Sequence, residues 1–195
     1  QLLGSFSWIS ALILIIINAN WSLLIEFLIY SFTSVFFLAI FLIPQSFIQI
    51  FGAKLIYNKY LLIKLFGYLL LVFSFLYWGT VLAWYCSLVV FNFFSLYNGF
   101  WTSLLSAIGV SLFPILWLHV QAERNCEDTS QLIFVRNQSF AAEFSVTVMV
   151  VYALFFMDLY TTRLEIMLYF IIPFTLITAY GMYVAREYDK GNIQV

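Results

Sequence analysis

The amino-acid sequence predicts an all-α, polytopic transmembrane helical protein with five to six spans. Of its 195 residues, 65% are hydrophobic and only 9% are charged, and the mean hydropathy is +1.02. A soluble fold of this composition would lack the polar side chains that cover a water-exposed surface. We therefore expect one transmembrane domain over residues 1–195, in contact with the lipid bilayer.

Six apolar runs are candidate spans. A spanning helix needs roughly 20 apolar residues, because each residue rises about 1.5 Å and the hydrocarbon core is about 30 Å thick. Residues 6–17 would reach only about three-fifths of that thickness, so they form either a short span or a helix at the interface. Five longer runs satisfy the length requirement, at residues 22–43, 65–91, 98–119, 142–158 and 166–184.

The basic residues indicate how the chain is oriented. The long apolar run that begins at Leu65 is either one tilted helix or two short helices broken near Gly79. With one helix, only Arg163 of the eight basic residues lies outside, and the other seven share the inner side, as the positive-inside rule requires. We therefore predict one helix, inner segments at 52–64, 120–141 and 185–195, and a C-terminus on the matrix or cytoplasmic side.

Charged residues are absent from the span centres. Glu26 lies about one turn from the outer end of its span, and the remaining charges lie at span ends or in connections. Proton pumps and ion-coupled transporters need intramembrane carboxylates or broken helices, so this pattern disfavours them. A net charge of −1 without a basic stripe also disfavours nucleic-acid binding.

One pair of residues has the minimal composition of a cysteine peptidase site. His119 and Cys126 are close in sequence, and a histidine beside a thiol can activate it. However, Cys126 lies among Glu123, Glu127 and Asp128, which raise a thiol's pKa and disfavour the thiolate. We predict no catalytic, cofactor-binding or metal-binding residues and no enzymatic activity.

The end of the 22–43 span resembles a known family. Pro44 is followed five and seven residues later by Gln49 and Phe51, and Glu26-Phe27 precedes them in the same span. This pattern resembles the TatC family, the core subunit of the Sec-independent, twin-arginine protein translocase.

Later spans extend the resemblance. Similar motifs occur in the family in the same order along residues 22–184. They are Tyr77-Trp78-Gly79 with Ala83-Trp84, then Gly109-Val110-Ser111, and finally Ile172-Pro173. The resemblance implies structural or partner-contact roles for Glu26, Phe27, Pro44, Gln49, Phe51, Gly79, Gly109 and Pro173.

The sequence departs from the family where the signal peptide is recognised. The first inner loop has no acidic residue near Tyr57-Asn58-Lys59, and the glutamate expected after Gly109-Val110-Ser111 is replaced by Leu112 or Phe113. The N-terminal Glu-Leu-Arg motif is missing, and the Thr-Pro-Pro-Asp before the last helix has no counterpart in residues 160–163.

Two functions follow as hypotheses. The first is a divergent TatC-like translocase core subunit, whose expected partners are single-span Tat-type proteins. The second is a degenerate TatC-derived structural subunit of a larger inner-membrane complex, for example a respiratory one, with other membrane subunits as its partners. For both we predict a mitochondrial inner membrane location, with the bacterial plasma membrane as the alternative. An unrelated small transporter or membrane peptidase is a third, weaker hypothesis.

Overall fold

The computed structural model describes residues 2–96, 99–156 and 162–192, and the described residues form six α-helices without strands. This confirms the predicted all-α class. Helices α2 to α6 are each long and apolar enough to cross a membrane, which confirms the predicted membrane-helical architecture. The helices are α1 (Leu2–Ile17), α2 (Trp21–Ile56), α3 (Leu61–Leu96), α4 (Phe100–Arg124), α5 (Thr129–Phe156) and α6 (Arg163–Asp189).

The helices are longer than the predicted spans. Residue 98 and residues 157–158, at the ends of two predicted spans, lie outside the described residues. Helix α2 continues past Pro44 for about three turns, because neighbouring helices in a membrane protein compensate for the backbone group that proline disturbs. Helix α5 begins at Thr129, so most of the inner segment predicted at 120–141 is helical.

Helix α1 packs lengthwise against α4. Gly4 lies against Leu116, whereas the backbone of Trp8 lies against Gly109, so the two helices are antiparallel. Ile15, near the end of α1, is also buried. Helix α1 has 16 residues and is therefore about 24 Å long, shorter than the hydrocarbon core of a bilayer.

Helix α4 occupies the centre of the bundle and contacts α1, α2, α3 and α5. Around it, α2 pairs with α3 and α5 pairs with α6. The first pair approaches closely at Gly52 and Gly67, where a Cβ added to Gly67 would lie 2.9 Å from the Gly52 carbonyl oxygen. Small residues allow such backbone approach between membrane helices.

Two cation–π contacts show which ends of the bundle lie together. Arg186, near the end of α6, lies 5.9 Å from the Tyr68 ring near the start of α3. Arg163, at the start of α6, lies 5.4 Å from the Phe91 ring near the end of α3. Gly181, in the last third of α6, lies against Asn137, near the start of α5. The α2–α3 turn, the α4–α5 turn and the end of α6 therefore share one end, called here the basic end. It carries Lys54, Lys59, Lys64, Arg124, Arg136, Arg186 and Lys190.

Candidate functional site

Two of the family-motif residues meet at Trp8. The Trp8 ring packs on Phe27, with ring centroids 5.3 Å apart, and its Nε1 donates a hydrogen bond of 2.9 Å to Ser31 Oγ. A Cβ added to Gly109 would lie 2.7 Å from Trp8 Cα. Phe27 and Gly109 thus join α1, α2 and α4 by packing.

A second contact joins α3 to α6. Gly79 faces the ring of Phe174, where an added Cβ would lie 2.9 Å from a ring carbon. Phe174 is fully buried and directly follows Pro173 in the sequence. Gly79 and Pro173 are therefore close to the same helix crossing.

The other four motif residues all lie on α2. Glu26, Pro44 and Phe51 are exposed. Gln49 accepts a 2.8 Å hydrogen bond from the side-chain amide of Gln45, which is buried. The eight motif residues are thus distributed along the bundle as helix contacts and exposed positions, and they do not converge on one site.

The His119 and Cys126 side chains bond to separate carbonyl groups. His119 is buried, with Nδ1 2.7 Å from the Ile115 carbonyl oxygen, and the Cys126 thiol donates to the Ala122 carbonyl oxygen at 3.3 Å. Burial and the negative charge of Glu123 raise the pKa of the Cys126 thiol. A nucleophilic cysteine needs the opposite shift.

Metal-binding geometry is also absent from the described ranges. Within them, no group of three or more His, Cys, Asp and Glu side chains is placed to hold a metal ion.

A polar cavity opens at the basic end between α4 and α5. Its volume is about 330 Å³, and Glu123, Arg136, Ser139, Phe140 and Glu143 line it; we call it the α4–α5 cavity. The Arg136 Nε lies 3.8 Å from a Glu123 carboxylate oxygen, and 65% of the Arg136 side chain is exposed. Ser139 is only 4% exposed, yet its hydroxyl has no hydrogen-bond partner.

The sequence contained a signal for this cavity. Four of its residues are spaced i, i+3, i+4 and i+7 from Arg136, which places them on one face of a helix. Hydropathy hides this signal, because it places 120–141 in an inner segment and so separates Arg136 from Glu143.

An apolar surface surrounds the turn between α2 and α3, at the same end. Leu62 is the most exposed of its side chains, at 80%, and the lysines at 54, 59 and 64 lie among them. We call it the hairpin surface, and its residues are Phe47, Ile50, Phe51, Leu61, Leu62, Leu65 and Phe66.

The fold and these surfaces define an integral membrane protein of the all-α class. No protein-family model, no curated protein and no solved structure matches the chain.

Proposed function

We propose that this chain is a TatC-like integral membrane subunit that acts by binding other membrane proteins within a multi-subunit complex. The hairpin surface is the observation that carries the proposal. It is apolar, it is exposed on the isolated chain, and it lies at the end of the two longest helices.

The length of these two helices explains why a partner is needed. Helices α2 and α3 have 36 residues each, so each is about 54 Å long. At the average tilt of about 20°, such a helix extends about 20 Å further along the membrane normal than the hydrocarbon core. Phe47, Ile50 and Phe51 of the hairpin surface follow the predicted span 22–43, and Leu61 and Leu62 precede the span predicted from residue 65, so these five side chains fall in the excess length. Because exposed apolar patches outside lipid mark protein interaction sites, we assign the hairpin surface to a companion subunit.

The first role is that of the core subunit of a twin-arginine protein translocase, in the mitochondrial inner membrane or, alternatively, the bacterial plasma membrane. The ordered motif residues support it, since Phe27, Gly79 and Gly109 occupy contacts between helices. In this role the basic end receives the signal peptide, and single-span Tat-type partners complete the passage.

The second role is that of a TatC-derived structural subunit in a larger inner-membrane complex, such as a respiratory one. The side chains at the place of the family's intramembrane glutamate favour this role. Leu112 is fully buried, and Phe113 stacks on Trp8 with ring centroids 5.2 Å apart. Here the position that recognises cargo in the family has become part of the packing.

Identification of the companion proteins distinguishes the two roles. The tagged chain is purified from its native membrane in mild detergent, and the proteins that co-purify in stoichiometric amounts are identified by mass spectrometry. Single-span Tat-type proteins support the translocase role, whereas respiratory subunits support the structural role. A chain that purifies alone, without any stoichiometric companion, contradicts both.

A further inference from the structure

The α4–α5 cavity combines opposite charges with a buried, unpartnered hydroxyl. Arg136 provides a largely exposed guanidinium group beside the Glu123 carboxylate. Ser139 Oγ lines the same cavity without a hydrogen-bond partner. Since a buried polar group without a partner costs free energy, an external ligand that bonds to Ser139 would remove that cost.

Apolar rings continue from the cavity along α5. Phe140 lies on its rim and Phe144 lies one turn further, with ring centroids 6.3 Å apart. Both rings are exposed, and Phe144 is about 12 Å from Arg136 along the helix axis. The direction is away from the basic end and toward the predicted 142–158 span. A ligand with a polar head and a hydrocarbon tail matches this arrangement.

The charges of the cavity select the type of head group. Glu123 and Glu143 supply two carboxylates and Arg136 supplies one guanidinium, which gives a formal charge of −1. A ligand that is only anionic would be repelled by the carboxylates. A zwitterion satisfies both signs, because guanidinium binds phosphate oxygens in a bidentate manner and carboxylates accept hydrogen bonds from an ammonium group.

We propose that the α4–α5 cavity binds the head group of a zwitterionic glycerophospholipid with a primary ammonium, that is, phosphatidylethanolamine. Arg136 and Ser139 hold the phosphate, and Glu123 accepts a hydrogen bond from the ammonium. One acyl chain follows Phe140 and Phe144 into the bilayer. Phosphatidylcholine shares the phosphate but has no N–H group to donate, so it is bound more weakly.

The lipid preference is tested on the full chain, purified in mild detergent and titrated by native mass spectrometry. The probes are phosphatidylethanolamine, phosphatidylcholine and phosphatidylglycerol with identical acyl chains. We expect phosphatidylethanolamine to bind about tenfold more tightly than either other lipid, the effect of one charge-assisted hydrogen bond. Equal binding of the three lipids, or a preference for phosphatidylglycerol, would overturn the proposal.

A competition experiment tests whether the cavity binds a lipid or a free phosphate compound. Soluble glycerophosphoethanolamine has the same charged groups, a phosphodiester and a primary ammonium, but no acyl chain, so it should not displace the lipid at equal concentration. Displacement at equal concentration would mean that the cavity binds a free phosphate compound, which contradicts a lipid site.

Three variants test the individual contacts. Arg136→Gln and Ser139→Ala should each weaken phosphatidylethanolamine binding about fivefold, and Glu123→Gln should abolish the preference over phosphatidylcholine. Arg124→Gln and Glu127→Gln make the same charge changes on exposed neighbours outside the cavity and should have no effect. Wild-type affinity in both Arg136→Gln and Ser139→Ala would overturn the assignment. Helical content and gel-filtration profile verify folding, and Ser139→Ala remains informative if Arg136→Gln does not fold.

Discussion

At Gly109 the backbone of α1 occupies the space where a side chain would begin. An added Cβ would lie 2.7 Å from Trp8 Cα and 2.8 Å from Trp8 N, and a backbone cannot move away as the end of a flexible side chain can. We expect Gly109→Ala to lower the free energy of unfolding by about 1 to 3 kcal/mol, the usual cost of overpacking. Thermal unfolding in detergent measures the change.

The matched control for this variant is Gly99→Ala. A Cβ at Gly99 would lie 3.4 Å from Thr102 Oγ1, which is an ordinary contact, and φ at Gly99 is −116°, which alanine adopts freely. Its stability should change by less than about 0.5 kcal/mol. Equal stability of the two variants would show that α1 does not pack on α4 at Gly109.

The Cys126 thiol should react slowly with alkylating reagents near neutral pH. Burial, and then the charge of Glu123, raise its pKa, so less of the reactive thiolate is present at a given pH. In a Cys86→Ser background, Glu123→Gln should lower the midpoint of the pH–rate profile. The rate at neutral pH should rise about twofold to threefold, as expected for one water-screened charge. Glu127→Gln is the control, because in the structure the charge that raises the Cys126 pKa is that of Glu123, and an equal increase there would contradict a specific effect of Glu123.

At the level of single residues, the motif pattern includes two glycines that lie at close helix contacts, but it does not give their partners. Gly79 and Gly109 were selected from the motif pattern, whereas their neighbours Phe174 and Trp8 are distant in sequence. Such contacts depend on how helices pack, which one sequence read by periodicity does not specify. The same pattern includes Pro44 and Phe51, which are exposed, and Phe51 belongs to the hairpin surface.

At the level of elements, apolar content located the helices but not their ends. A span length is set by the bilayer, whereas a helix extends as far as its hydrogen bonds and neighbours allow. Residues 129–141 contain Arg136 and several polar residues, which removed them from a hydropathy-based span. They are helical because their apolar side is packed, as where Phe134 meets Phe75 of α3 with ring centroids 5.5 Å apart.

The hairpin surface provides a prediction at this scale. Leu62 is exposed on the isolated chain, so Leu62→Gln should change its stability by less than about 0.5 kcal/mol. The same variant should lose the companion proteins during purification, because it places an amide group in an apolar interface. Quantitative mass spectrometry of the co-purified proteins measures the loss.

The control is Tyr183→Gln, at an exposed position near the basic end of α6. It makes a similar polar replacement outside the hairpin surface and should retain the companions. Full retention by Leu62→Gln would show that the partner binds elsewhere.

For the molecule as a whole, the distribution of charge anticipated the arrangement of the helices better than hydropathy did. Treating residues 65–91 as one helix predicts that seven basic residues lie on one side. In the structure α3 is one continuous helix, and these residues lie at the basic end. The α4–α5 cavity was not anticipated, because its residues come from two helices and their proximity depends on the register between them. Charge thus constrains the overall arrangement of the helices, whereas predicting a site between two helices also requires knowing how those helices pack.

Accessibility labelling tests the arrangement of the whole molecule. In a chain with Cys86→Ser and Cys126→Ser, single cysteines are introduced by Tyr57→Cys at the α2–α3 turn, Asp189→Cys at the end of α6 and Asn18→Cys at the α1–α2 turn. All three positions are exposed. A membrane-impermeant maleimide applied to sealed vesicles should label Tyr57→Cys and Asp189→Cys from one side. It should label Asn18→Cys only from the other side, because α2 is long and apolar enough to separate the two turns. Labelling of Asn18→Cys and Tyr57→Cys from the same side would mean that α2 does not cross the membrane, and the hairpin surface could then not lie at the end of a spanning helix pair.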